Sequence, residues 1–362
     1  MSKGSFRTAL AVVLGSLLIV VLVVVWLITR ALAYPGAAHA GLGRDVEVEI
    51  KSGMSFPAIA AMLADKGVIA KPTWFRMYAM WEGETTNVKT GKYVLKDNLP
   101  PQQVLAVLIA GIKEVTTKVT LPEGKNMLEY FELLEAAKVA KAAELEALAR
   151  DKDFLGRHGI TGDTVEGYLF PDTYDFRVNE KPAAVLQRLI TRHQEVWNDL
   201  IAKHPREAAK IKDKLGWSDR DVLTMASIVE KEAVDPAERP RIAQVFINRL
   251  TSPTFTPRRL ETDPTIRYGC MVPVQKSPPC QQWNKADRLH RAQLDDKANP
   301  YNTYQHDGLP PGPIANPGKG SIEAVLVPDG SEFYFFVAKD ARNHAFARTF
   351  EDHKRNVDKY MH

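Results

Sequence analysis

The 362-residue chain has only two cysteines, Cys270 and Cys280. It contains no Cys-x-x-Cys pair and no His-Glu-x-x-His segment, and its nine histidines are scattered. A catalytic metal is therefore not expected, since zinc-type sites need such ligands at close spacing. Neither a Gly-x-Ser-x-Gly elbow nor a Walker phosphate loop occurs, which argues against serine-hydrolase and nucleotide chemistry. No cofactor is expected. A block of one charge sign is missing as well. Lys and Arg number 48 against 44 Asp and Glu, a formal net charge of +4, so nucleic acid is not an expected partner.

The chain does hold a single long apolar run. Ala9 to Ile28 is broken only by Gly15 and Ser16, long enough to cross a bilayer as one helix. A secretory signal has an apolar core of about 7–15 residues, shorter than this one. Ala31-Leu32-Ala33 and Ala38-His39-Ala40 resemble cleavage sites and leave processing open. Lys3 and Arg7 precede the run and Arg30 follows it, a slight bias towards a cytoplasmic N-terminus. The reading is a cytoplasmic tail at 1–8, a transmembrane helix at 9–29 and a linker at 30–45, with the rest outside the cytoplasm. In an oxidising compartment Cys270 and Cys280 could form a disulfide, contributing about 2–3 kcal/mol by the chain-entropy model.

The centre of the chain is Ser218 to Leu250. Ser218 and Asp221 make an approximate capping box, and Val222, Ala226, Val229 and Ala233 form an apolar stripe behind it. Asp235-Pro236 should stop that helix, and a second runs to Leu250. Glu230 and Glu232 then stand in the last turn, one on each flank of the stripe. A carboxyl beside apolar neighbours and a helix C-terminus has a raised pKa, so it can remain a proton donor near neutral pH. The helical wheel does not choose between the two acids, and solvated surface glutamates fit the same pattern.

An internal repeat precedes this centre. Val48-Glu-Ile-Lys-Ser-Gly53 and Val119-Thr-Leu-Pro-Glu-Gly124 align at a constant offset of 71, which carries Ile59 to Tyr130, Leu63 to Leu134 and Val68 to Val139. Each copy predicts a strand, a Gly turn and an amphipathic helix, at Phe56–Lys66 and Met127–Ala137. The first copy, within residues 46–115, resembles a LysM-like module, and the second β-turn-α module covers 116–160. Trp74, Tyr78 and Trp81 could stack on sugars, although i, i+4, i+7 aromatics more often belong to a core. Helices are expected at Trp74–Trp81, Pro101–Ala110, Lys138–Arg150, Pro182–Ala202 and Arg206–Lys214, and a strand at Gly91–Leu95.

Downstream, Arg259–Gly269 reads as a turn presenting Asp263 and Tyr268. Gly308–Gly318, dense in Pro and Gly, reads as a rigid binding loop. Ser321–Val327 reads as helix or strand edge, Phe333–Ala338 as a buried strand pairing with His344–Phe350, and a helix closes the chain. The fold class is α+β: an N-terminal transmembrane helix, small LysM-like β-turn-α modules, and a mixed α/β catalytic domain at 161–362.

Six ordered motifs carry a resemblance. They are Glu166-Gly-Tyr-Leu-Phe-Pro-Asp-Thr-Tyr174, Ala226-Ser-Ile-Val-Glu-Lys-Glu232, Val245-Phe-Ile-Asn-Arg-Leu250, Thr262-Asp-Pro-Thr265, Tyr301-Asn-Thr-Tyr304 and Gly308-Leu-Pro-Pro-Gly-Pro-Ile314. Together they resemble the MltG (YceG-like) endolytic murein transglycosylases over nearly the whole chain. The Cys270–Cys280 segment looks longer than that family's usual turn. The resemblance implies a single-pass protein of the cell inner membrane with its catalytic part in the periplasm. It implies peptidoglycan glycan strands as substrate and the glycan-polymerising synthases as partners. It implies cleavage of the β-1,4 bond between N-acetylmuramic acid and N-acetylglucosamine, leaving a 1,6-anhydro end, with Glu232 as the catalytic residue.

One carboxyl suffices for such a cleavage, because the C6 hydroxyl of the sugar replaces water. Hydrolysis normally needs two. Tyr301, Asn302, Thr303 and Tyr304 are the candidate substrate contacts, with Glu166, Glu230 and Asp263 as neighbouring polar groups. Two other readings stay open: a hydrolytic muramidase drawing its second carboxyl from Glu166 or Asp263, and a non-enzymatic wall-binding or division-complex scaffold.

Overall fold

The structure is a computed structural model that describes residues 3–37, 40–112 and 116–361. The Ala38-His39 part of the second cleavage-like site lies outside the described residues. The chain divides into two compact units, Met1–Glu114 and Val115–His362.

In the first unit, α1 (Lys3–Ala33) contains the apolar run and passes into a 3-10 turn at Tyr34–Gly36. Its stretch from Val12 is long and apolar enough to span a bilayer, by length and composition. Then come β1 (Asp45–Ile50), α2 (Phe56–Asp65), α3 (Pro72–Trp81), β2 (Gly91–Lys96) and α4 (Pro101–Ala110). β1 and β2 pair antiparallel, with Val48 opposite Tyr93. The alternation along both strands sends Val48, Ile50, Tyr93 and Leu95 inward, where they meet Ile59, Leu63, Phe75, Val104 and Leu108 in one core.

The second unit opens with β3 (Thr116–Thr120), α5 (Met127–Ala136), α6 (Ala142–Ala149), α7 (Lys152–Arg157) and β4 (Thr173–Arg177). β3 pairs antiparallel with β4, so its sheet partner lies beyond residue 160. The repeat is visible at atomic detail. Gly53 and Gly124 both take left-handed backbone, at φ 82° and 75°, the conformation glycine adopts without steric cost. Val68 N–H donates to Leu63 O at 2.8 Å, and Val139 N–H to Leu134 O at 2.9 Å. Each copy is a strand, two or more helices and a returning strand. A LysM module is not established by that topology.

The remainder is helical except for one hairpin. α8 (Pro182–Lys203) and α9 (Pro205–Leu215) lead to α10 (Asp219–Glu232), α11 (Arg239–Thr251), α12 (Asp263–Met271), α13 (Pro278–Gln281), α14 (Arg291–Leu294) and α15 (Lys319–Leu326). β5 (Phe335–Ala338) and β6 (His344–Ala347) form the hairpin, and α16 (Phe350–Tyr360) ends the chain.

Four expectations change. First, α10 has no single apolar stripe: every residue from Val222 to Val229 is buried, because α11, α12 and α15 all pack against it. Second, Asp263 begins helix α12, with Pro264 in its first turn where a missing N–H costs nothing, so no turn presents Tyr268, which is 3% exposed. Third, Gly312 to Gly318 is buried rather than displayed. Fourth, β5 is only half-buried, with Ala338 exposed at its end.

That buried segment acts as a strap. Ile314 N–H donates to the Oγ of Ser227, in the middle of α10, at 2.9 Å. Asn316 Oδ1 accepts from Gly167 N–H at 3.0 Å and Leu169 N–H at 3.1 Å, while its Nδ2 donates to Lys125 O at 3.1 Å. Gly167 has φ +86°, and a Cβ there would meet Pro313 at 2.6 Å, so only glycine fits under the strap. Cys270 and Cys280 are joined in a disulfide across the loop after α12.

Candidate active site

α10 fixes the position of Glu232. The capping box is present in full: Ser218 Oγ accepts from Asp221 N–H, and Asp221 accepts from Ser218 N–H at 2.8 Å. With its start capped and its middle enclosed by core, the helix ends at Glu232, and Ala233 already has extended backbone. A rigid, buried helix therefore delivers a carboxyl from its last position.

The Thr262 hydroxyl donates to Glu232 Oε1. Burial pushes the Glu232 carboxyl above its ordinary pKa, and the negative charge of Asp263 adds to the rise. The Thr262 hydrogen bond and the Arg249 guanidinium pull the other way. His344 is held by Glu238, with Nδ1 2.7 Å from Oε2.

A threonine network ties this corner to the Tyr301–Tyr304 loop. Thr262 N–H donates to Thr303 Oγ1 at 3.1 Å, and the Thr265 and Thr303 hydroxyls are 2.9 Å apart. The Tyr304 hydroxyl donates to Asp263 Oδ1 at 3.0 Å, and burial raises the phenol's pKa. Glu232, Asp263, Thr303 and Tyr304 thus fall in one neighbourhood.

The other candidates do not share it as open groups. Asn302 is fully buried and donates its Nδ2 to the carbonyls of Gln293, Leu294 and Asp296, so it shapes the loop from inside. Thr303 is 2% exposed and reaches Glu232 only through Thr262. Tyr301 packs on Tyr268, ring centroids 4.8 Å apart, with its phenol pushed up to about 12 by burial.

Glu166 is 1% exposed, and both of its oxygens accept from Met127 N–H, at 3.1 and 3.0 Å, while Asn316 Nδ2 donates to Oε1 at 3.1 Å. It caps the start of α5 and has no surface to offer a sugar. Desolvation raises its pKa to about 8. Glu230 pairs with Arg239 at 3.2 Å and accepts from Gly318 N–H at 3.0 Å, which commits it to the strap. Among the described acids of the Glu-Lys-Glu sequence, Glu232 is the one whose only described hydrogen-bond donor is a neutral hydroxyl.

Sequence reasoning passed over Thr262, Arg249 and the His344–Glu238 pair as site residues. Thr262 was legible as the residue before Asp263-Pro264, a helix N-cap position. Arg249 stood in the Val245–Leu250 motif without a role assigned to it. It is 7% exposed, donating Nη1–H to Leu260 O at 2.6 Å and Nε–H to Tyr334 O at 2.7 Å.

Beside this corner is a cavity of about 220 Å³ whose wall includes Lys231, Pro264, Arg267 and Lys285. Glu129 shares that wall with the three cations, and neither Glu232 nor Asp263 lines it. A separate cavity of about 400 Å³ near the start of α10 contains none of the candidate residues.

A partly buried carboxyl at a helix end, with raised proton affinity and a neutral hydroxyl donor, has the chemistry to give and take a proton. The chain belongs to the YceG-like family, whose model matches residues 48–359. An endolytic murein transglycosylase of Bacillus subtilis is 30% identical over 332 residues, covering 87% of this chain and 85% of its own length. One of Streptococcus pneumoniae is 25% identical over 343 residues, covering 87% of this chain and 58% of its own length. A crystal structure of a YceG-like protein from Listeria monocytogenes matches with a TM-score of 0.54 at 30% identity, covering 86% of this chain and 99% of that one.

Proposed function

We propose that the protein is a peptidoglycan lytic transglycosylase that cuts glycan strands internally, using Glu232 as its single proton carrier. Its relatives' activity and the family membership support the reaction class. The observation that carries the residue assignment is that Glu232 alone among Glu166, Glu230 and Glu232 combines a raised pKa with a carboxyl not committed to a backbone amide or an arginine.

Protonated Glu232 gives its proton to the oxygen linking N-acetylmuramic acid to N-acetylglucosamine, and the bond from C1 to that oxygen breaks. The C6 hydroxyl of the same muramic acid attacks C1 as an oxocarbenium-like centre develops. Carboxylate Glu232 takes the hydroxyl proton, so the acid is restored, no water is consumed and a 1,6-anhydro end forms. Asp263, held by Tyr304, keeps Glu232 protonated through its charge, and the Thr262 hydroxyl stabilises the carboxylate once it forms.

The apolar α1 supports a single-pass anchor in the inner membrane, with the remaining chain on the periplasmic side where glycan-polymerising synthases are candidate partners. The β1-α2-α3-β2 unit has the strand-helix-helix-strand order of a LysM-like glycan grip.

The test is mass spectrometry of glycan strands digested by the wild type and by Glu232→Gln. Anhydro ends from the wild type, with none from the variant and strand binding retained, support the proposal. Reducing ends from the wild type would mean a muramidase, and full activity in the variant would remove Glu232 from the chemistry.

A further inference from the structure

The first unit carries an apolar surface that its own core does not use. α3 turns Phe75 and Ala79 inward, both 0% exposed. Its other side shows Met77 at 54%, Met80 at 65% and Trp81 at 70% exposure, next to half-buried Trp74 and Tyr78. Trp74, Met77, Tyr78 and Trp81 fall at i, i+3, i+4 and i+7, which places them in one stripe along the helix. This was the stripe expected to be core or a sugar platform, and the structure leaves it largely uncovered.

The stripe meets the end of α1. Tyr34, just past that helix, lies with its ring 5.9 Å from Trp74, and its hydroxyl donates to Lys71 O at 3.2 Å. A cleft of about 180 Å³ is lined by Ala31, Tyr34, Trp74, Met77, Tyr78 and Trp81. A second, of about 300 Å³, runs from Trp26 and Arg30 to Trp74. The Arg30 guanidinium stands over the Trp26 ring, 5.6 Å from its centroid. The exposed apolar side chains of α1 therefore continue, through Tyr34, into the exposed face of α3.

We infer that the Trp74–Trp81 face of α3 lies in the headgroup region of the leaflet from which α1 emerges, as an interfacial helix that holds the first unit to the bilayer. The occupant is a phospholipid surface. Tryptophan and tyrosine favour that depth because their rings are apolar with a polar edge. Methionine adds flexible apolar area, and the exposed Lys71, at the start of α3 beside Tyr34, can reach lipid phosphates. Continuity with α1 favours lipid over sugar: a glycan platform would not need its aromatics set against the end of a membrane helix. The inference rests on α1 being an anchor, and the experiment reads the two separately.

The full chain is placed in nanodiscs containing phosphatidylglycerol and phosphatidylcholine brominated near the headgroup, and tryptophan emission is compared among the wild type, Trp26→Phe and Trp81→Phe. Trp81 is exposed, so phenylalanine there leaves the packing intact, and circular dichroism checks the fold. The expected result is that bromine quenches Trp81 emission roughly twofold, so the quenched component shrinks in Trp81→Phe and, separately, in Trp26→Phe. A quenched component lost entirely in Trp26→Phe and unchanged in Trp81→Phe overturns the inference while leaving the anchor in place. Absence of bromine quenching in the wild type overturns both. A Trp81 emission shift on adding soluble N-acetylglucosamine oligomers, without bromine quenching, identifies a sugar platform and also overturns it.

Discussion

Two substitutions that touch Glu232 from opposite sides should move its proton affinity in opposite directions. Thr262→Val keeps the shape of a buried residue but removes the hydroxyl that donates to Glu232 Oε1. That hydrogen bond stabilises the carboxylate, so its loss raises the pKa further. A hydrogen bond to a charged group contributes about 1.5–3 kcal/mol, so this is the larger of the two effects. Asp263→Asn removes the neighbouring negative charge and keeps an oxygen for Tyr304, so it lowers the Glu232 pKa. Asp263 is solvent-exposed, which screens its field, so the fall should be the smaller of the two shifts.

The assay is the pH dependence of glycan-strand cleavage. Activity needs protonated Glu232 to donate first, so the rate falls as pH rises through its pKa. The alkaline limb should shift upward in Thr262→Val and downward in Asp263→Asn. If both limbs stay where the wild type has them, or move together, Glu232 is not the titrating acid and the proposed chemistry is wrong.

Two predictions concern stability. Glu166 has a folded pKa of about 8 against an ordinary 4.5, so the folded state holds its proton more tightly. Stability is then fully present below about pH 4.5 and is lost as pH rises from there through about 8, by up to about 5 kcal/mol. Glu166→Gln should flatten that decline in thermal unfolding scans between about pH 5 and 8, and an unchanged slope would show that the carboxylate is not the cause. Asn316→Ala removes the acceptor for two buried amides and a donor to Lys125 O and Glu166, so it should cost about 2–4 kcal/mol in chemical denaturation. A cost below about 1 kcal/mol would mean the strap is held by packing alone.

Local chemistry with a short range was the easiest to read from sequence. Ser218 and Asp221 announce the start of α10 because both partners of the capping box lie within four residues. The repeat was legible down to Gly53 and Gly124 because left-handed turns favour one residue type. What sequence could not show was enclosure. Whether Glu230 or Glu232 faces a reactive corner depends on Arg239 and Gly318 claiming one, and Thr262 meeting the other. Glu166 looks like any polar motif residue until Met127 and Asn316 close over it. Arg259–Gly269 was read as a turn, but Pro264 sits in the first turn of a helix, where proline is well placed. Gly308–Gly318 had the composition of a loop, and only long-range contacts to Ser227, Gly167 and Lys125 reveal it as interior.

Ser227 lies five residues before Glu232 on the same uninterrupted helix, and the backbone of Ile314 is fastened to it. The unit's centre and its reactive corner are consequently mounted on one rod. A tag or permuted terminus placed between Gly312 and Gly318 would disturb catalysis from a distance, without altering any group near the sugar. The exposed tip of the β5–β6 hairpin, by contrast, is a place where foreign sequence could be spliced in with the rod left untouched.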